Sequence, residues 1–163
     1  MAMHLRPGET DDWTFLEAML FEAFFWDPSS RRPALSEFRE EREAAKLLAG
    51  WGRRGDRAII AEEADARAGA AWFRLWTDAD HSYGFVRADI PELGLAVHPA
   101  FRRQGIGTAL LRALAGTARA EGFPGISLSV SPANPARRLY ERAGFRKVGE
   151  SGTSSTYLLS LAP

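Results

Sequence analysis

The chain has 163 residues and balanced charge, 21 Lys and Arg against 21 Asp and Glu, so no net field draws in nucleic acid or an anionic membrane. It contains no cysteine, which excludes disulfides, thiolate metal sites and a cysteine nucleophile and suits a reducing, cytoplasmic setting; no metal is expected. Hydrophobic residues make up 45%, enough for the core of one domain over residues 1–163, while no apolar run approaches the roughly 20 residues of a membrane span and the opening MAMHLRPGETDDW lacks the apolar stretch of a signal peptide.

In chain order, residues 4–6 read as a short strand ended by Pro7-Gly8. Thr10 stands as an N-cap ahead of a helix running to about Phe24, with Asp11 and Asp12 suited to its first turn. The segment DPSSRRP, 27–33, is the most loop-like of the chain. A second helix is expected over 34–49, capped by Gly50, and its Glu37, Glu40, Glu41 and Glu43 read as a solvated face. Residues 58–61 and 70–75 read as two strands joined by a polar turn, and 77–90 as irregular loop. Leu93, Leu95 and Val97 alternate as a strand. Ile106, Ala109, Leu110, Ala113, Leu114, Thr117 and Ala118 follow helical spacing and predict a strongly amphipathic helix. Ile126, Leu128 and Val130 alternate with serines as a half-buried strand. Asn134-Pro135 opens another helix, which Gly144 ends. Residues 145–148 and 155–161 close a hairpin. This order predicts an α/β fold, a mixed and mostly antiparallel central sheet flanked by helices.

One turn carries most of the chemical information. FRRQGIGTALLRAL, 101–114, places two arginines and two glycines directly before a helix. The first N–H groups of a helix lack internal partners and its dipole makes that end positive. Glycines let those groups approach a phosphate closely, and Arg102 and Arg103 add charge-assisted donors. A Walker A loop requires a lysine that Gly107-Thr108 lacks, and a dinucleotide fingerprint requires a third glycine or alanine where Leu110 stands. A tight strand-to-helix turn with solvated arginines is the plain alternative.

Two segments in order, PELGLAVHPAFRRQGIGTALL and NPARRLYERAGF, resemble the GCN5-related N-acetyltransferase (GNAT) family. The resemblance is strong over 91–148 and rests on element order elsewhere. It implies the acyl-CoA N-acyltransferase fold and acetyl-CoA as acyl donor. It implies that Arg102, Arg103, Gln104, Gly105, Ile106, Gly107 and Thr108 cradle the CoA diphosphate, and that backbone groups of Leu95, Ala96 and Val97 bind the pantetheine arm and the thioester oxygen. It also implies that Tyr140 is the general acid near the CoA sulfur and that Asn134 contacts the donor. From the residues alone, Tyr140 is equally a core tyrosine and Asn134 a plain N-cap.

Acetyl transfer to an amine requires a base for the ammonium, polarisation of the thioester carbonyl and stabilisation of the departing sulfur. Glu92, at the start of the 93–97 strand, is the expected base, since a partly dry cleft would raise its pKa. Asp89 and a water chain are the alternatives. His98 is expected to be structural. Trp26, Tyr83 and Phe85 are the candidate acceptor-pocket residues, whereas Phe21 and Phe24 read as core. The expected activity is N-acetylation of a small-molecule amine or a peptide N-terminus. A non-catalytic acetyl-CoA-binding regulatory or scaffold domain is the alternative, and a nucleotide-binding module is a third reading. A homodimer would use the C-terminal strands, with an exposed edge expected near 157–161.

Overall fold

The computed structural model describes residues 3–161. Seven strands form one sheet in the order β1-β2-β3-β4-β5-β7-β6. They are β1 (Met3–Pro7), β2 (Arg57–Glu63), β3 (Ala66–Arg74), β4 (Glu92–Val97), β5 (Gly125–Val130), β6 (Arg146–Ser151) and β7 (Ser154–Ser160). Every neighbouring pair is antiparallel except β4 with β5.

Both sheet faces are covered, and the strand sequences show why. Ile59, Ala61, Ala71 and Phe73 point to one face, where α4 (Ile106–Ala120) lays down Ile106, Leu110, Leu111, Leu114 and Ala118. Ala58, Ile60, Ala70 and Trp72 point to the other, against Leu16, Met19 and Leu20 of α1 (Trp13–Phe24). Strands buried on both sides read as continuous apolar runs, which explains AII and AGAAWF. The same effect corrects the half-buried reading of β5, because Ser127 is completely buried.

Three other expectations shift. The first helix is not capped by Thr10. Residues Thr10–Asp12 form a 3-10 turn closed reciprocally by Glu9 and Asp12, and α1 starts at Trp13. The Asp12 carboxylate accepts the Glu9 amide at 2.7 Å and also holds Arg6 at 2.7 Å and Arg67 at 2.9 Å. Hydrogen bonding to Arg6 is the main reason this carboxyl sits well below its usual range, at about 2. The stability it contributes is therefore present above about pH 4 and fades as pH falls towards 2.

The helix expected over 34–49 breaks into α2 (Leu35–Glu40) and α3 (Arg42–Ala45), with Glu41 extended between them. Phe38 and Ala44 are both buried. Six residues apart, they would lie about 240° around a continuous helix. The break lets both face the sheet.

The exposed edge expected near 157–161 is interior, because β7 pairs with β5 on one side and β6 on the other. The outer strand at that end is β6, where Val148 is exposed at a bulge between Lys147 and Gly149.

A buried ion pair anchors the end of β3. Arg74 and Asp56 are 2% and 1% exposed, with N···O distances of 3.0 and 2.8 Å. Replacing Asp56 by alanine leaves a guanidinium buried without its counter-ion. It is expected to cost about 3–5 kcal/mol, read as a lowered denaturation midpoint.

Candidate active site

The strand pair β4–β5 opens the sheet. β4 is paired along its whole length with β3, from Arg74↔Glu92 to Gly69↔Val97. With β5 it pairs only at Glu92↔Ser127, where the Ser127 amide donates to the Pro91 carbonyl at 3.0 Å. Beyond that point the strands diverge, and a cavity of about 690 Å³ occupies the gap. Its walls include Leu93, Leu95, Ala96 and Val97 from β4, Leu128 to Val130 from β5, and Leu139 and Tyr140 from α5 (Ala136–Arg142).

The glycine turn closes one end of this cavity. Arg103 and Gly105 both adopt the left-handed conformation, with φ of 64° and 79°. Gly105 precedes the first turn of α4 and no side chain caps that turn. A Cβ on Gly107 would meet nothing nearer than Leu139 at 3.4 Å. Packing does not demand that glycine, and its bare backbone leaves the first-turn amides open to the cleft. Arg102 is held by its Nε on the Val97 carbonyl at 3.1 Å and lies 3.3 Å from Glu22 of α1. Glu22 in turn pairs with Arg32 at 2.7 Å. Arg102, Arg103, Gly105, Ile106, Gly107 and Thr108 all line the cavity, whereas Gln104 does not. His98 accepts the Ala100 amide at 3.1 Å and so shapes this loop structurally.

Asn134 and Tyr140 share the other wall. The Asn134 side chain accepts the Ala136 amide at 2.9 Å, so it caps α5 from within the cavity wall. Tyr140 is 6% exposed and stacks edge-on to Phe145. Burial alone pushes its phenol well above the ordinary tyrosine value, so it keeps its proton throughout the physiological range.

A second cavity, about 250 Å³, lies beyond β4 and carries Glu92. The two cavities share Ala23, Trp26, Leu93, Gly94, Ser129, Val130 and Asn134 as walls, so they meet across the diverging strands. Glu92 presents two unlike oxygens. Oε2 accepts the Gly84 amide at 3.0 Å, while Oε1 is buried with no hydrogen-bond partner among the described residues. Burial is the main reason its pKa is pushed up to about 7, with the Gly84 amide pulling the other way. The loop reaches Glu92 because residue 84 is glycine. A Cβ there would lie 2.6 Å from the Leu128 carbonyl carbon and 2.7 Å from the Ser129 nitrogen. Asp89 instead is exposed and paired with Arg87 on the surface.

Of the three aromatic candidates, Trp26 and Tyr83 line the second cavity. Phe85 lies outside both cavities and stacks on His81 with centroids 4.5 Å apart. Phe24 lines the second cavity and is 38% exposed, contrary to its reading as core, though its ring meets that of Phe38 in an edge-type contact with centroids 5.2 Å apart. Sequence reasoning also missed Trp72, Arg74, Trp76 and Gly84. Trp72 and Arg74 fall in a strand and Trp76 just after it, where the pattern gives no sign of facing a cavity, and the glycine's role depends on a strand distant in sequence.

A mixed sheet split between two strands, with a helix N-terminus at the mouth of the gap and a shielded carboxylate at its inner end, defines an acyl-CoA N-acyltransferase architecture. The chain belongs to the acetyltransferase (GNAT) family, which matches residues 13–145. It is similar to an N-acetyltransferase from Staphylococcus aureus Mu50 (17% identity, TM-score 0.73, covering 99% of this chain and 100% of that one). It is similar also to paia N-acetyltransferase from Thermoplasma acidophilum in complex with coenzyme A (18%, 0.75, 98% and 99%). A third similar structure is a phosphinothricin acetyltransferase from Sinorhizobium meliloti in complex with AcCoA (20%, 0.70, 99% and 90%). At these identities the likeness is one of fold. No curated protein matches the sequence.

Proposed function

We propose that the protein is an N-acetyltransferase that passes an acetyl group directly from acetyl-CoA to a primary amine. The observation that carries this reading is the junction of the two cavities, which sets a shielded carboxylate oxygen, without a partner among the described residues, in the smaller cavity where it meets a slot whose mouth is a helix N-terminus.

The residues fit an acetyl-CoA donor. First-turn amides of α4, with Arg102 and Arg103, offer convergent donors for a diphosphate. Over Leu95, Ala96 and Val97, β4 has no β5 partner, which leaves backbone groups for an extended arm and a donor for the thioester oxygen. Asn134 lies along the same wall. The donor supplies an activated acetyl carbon bonded to sulfur.

Glu92 takes one proton from the acceptor ammonium and passes it to solvent. The freed nitrogen lone pair bonds to the acetyl carbon, and the carbon–sulfur bond breaks with its electron pair going to sulfur. The second amine proton passes to the sulfur, so the overall reaction releases one proton. Tyr140 donates a hydrogen bond to the departing sulfur. Complete transfer of its own proton is uphill, because thiols titrate near 8.5 and burial holds this phenol above its usual value.

Free-thiol release from acetyl-CoA, measured across a panel of amines, tests the reading. Amine-dependent release is expected. Tight acetyl-CoA binding by calorimetry with no release for any amine would instead mark a binding domain. Displacement of acetyl-CoA by ATP or NAD more readily than by CoA would point to a nucleotide module.

A further inference from the structure

The smaller cavity is walled mostly by uncharged side chains. Phe24, Trp26, Trp72, Trp76 and Tyr83 surround a volume of about 250 Å³, below the ~300–1,000 Å³ of pockets that take drug-sized ligands. Among the described residues only two charged side chains line it, Glu92 and Arg74.

Arg74 is not available to an anion. Its Nε and Nη2 are committed to Asp56 at 3.0 and 2.8 Å, and its Nη1 donates to the carbonyls of Lys46 and Ala49 at 3.1 and 2.7 Å. Asp56 already offsets its charge, so a carboxylate placed in the cavity would lose water and find no unpaired cation among the described lining residues.

A second ammonium fares no better. Among the described residues Glu92 is the single carboxylate on the walls, and one of its oxygens has no partner. At the Trp76 wall, Lys46 and Arg53 lie over the indole at 5.7 and 5.5 Å, and Arg74, paired with Asp56, lies at 5.9 Å. Lys46 is partly offset by Glu43 and Asp80, yet no carboxylate on that wall faces inward to receive another positive charge.

We infer that the acceptor is a small primary monoamine on an apolar aromatic or aliphatic body, with neither a carboxylate nor a second ammonium. Its one ammonium meets Glu92 and its body fills the aromatic box. This rests on the assignment of the cavity as the acceptor site of acetyl transfer.

Matched amine pairs that differ by a single charged group test it. Steady-state thiol release is compared for 2-phenylethylamine against L-phenylalanine, and for pentylamine against 1,5-diaminopentane. The uncharged-body member of each pair is expected to show at least tenfold higher kcat/KM. Parity or reversal in either pair overturns the inference while leaving acetyl transfer intact, as does a short peptide outperforming all four. If no amine supports release, calorimetry of the same four amines with the CoA-saturated protein decides. Tighter binding of the member without the extra charge upholds the inference although the transfer reading has failed. Equal, reversed or absent binding overturns it.

Discussion

Replacing Glu92 by glutamine is expected to lower kcat/KM for the amine acceptor by about 10²–10³-fold, within the range typical of a positioned general base. The pH profile identifies the cause. The wild-type carboxyl must be ionised to accept a proton, and its pKa is pushed up to about 7, so kcat/KM should rise with pH and level off above 7. In E92Q that limb disappears and only the acceptor's own ammonium titration, at about 10 for an alkylamine, remains. Acetyl-CoA affinity should be unchanged, because Glu92 lines the smaller cavity and not the slot.

Stability should move in the opposite sense. A carboxyl whose folded pKa exceeds its ordinary 4.5 binds more proton in the folded state, so its burial costs stability as pH rises from about 4.5 through 7. E92Q removes this cost and is expected to raise the denaturation midpoint at pH 8 but not at pH 4. A variant that loses activity and stability together at both pH values would mean that Glu92 serves packing instead. An unchanged pH profile would transfer the proton to a water chain.

Tyr140→Phe gives the second large effect. The phenol is neutral and buried, and it lines the wall of the slot. Removing the hydroxyl leaves the ring packed on Phe145 at 5.7 Å between centroids, so the core should be little disturbed. A hydrogen bond made to a developing thiolate is worth more than one to a neutral group, about 1.5–3 kcal/mol. By the tenfold per 1.36 kcal/mol rule, that is a loss of roughly 10- to 160-fold in kcat. The acetyl-CoA dissociation constant should stay within about twofold. The loss should shrink with acyl donors whose thiol has a lower pKa, because a better leaving group needs less help. Unchanged turnover would assign Tyr140 to the core alone.

Much of this protein was legible in its residues. The β4 alternation, the amphipathic α4 and the Asn134-Pro135 helix start all follow local rules that hold wherever the segment lies, and each element was found where the pattern put it. The turn from Arg102 to Gly107 was readable for the same reason, since a left-handed glycine before a helix is a local backbone property. Ser127 was not. Alternation with leucine and isoleucine looks the same whether or not a helix covers the second face, and that cover comes from segments far along the chain. The break at Glu41 likewise came from the need to bring Phe38 and Ala44 to one sheet face.

The sequence alone thus determined the fold class through the order of its elements and marked the glycine turn before α4 by short-range backbone chemistry, while its resemblance to the GNAT family singled out Glu92, Asn134 and Tyr140 as residues of interest. Only the tertiary structure decided how Glu92 behaves and what surrounds it. Its shielding depends on a loop that Gly84 lets press onto β5, and the aromatic box depends on Trp26, just after α1, meeting Trp72 and Trp76 at the end of β3. Burial and charge pairing are properties of the assembled surface, and no local pattern encodes them.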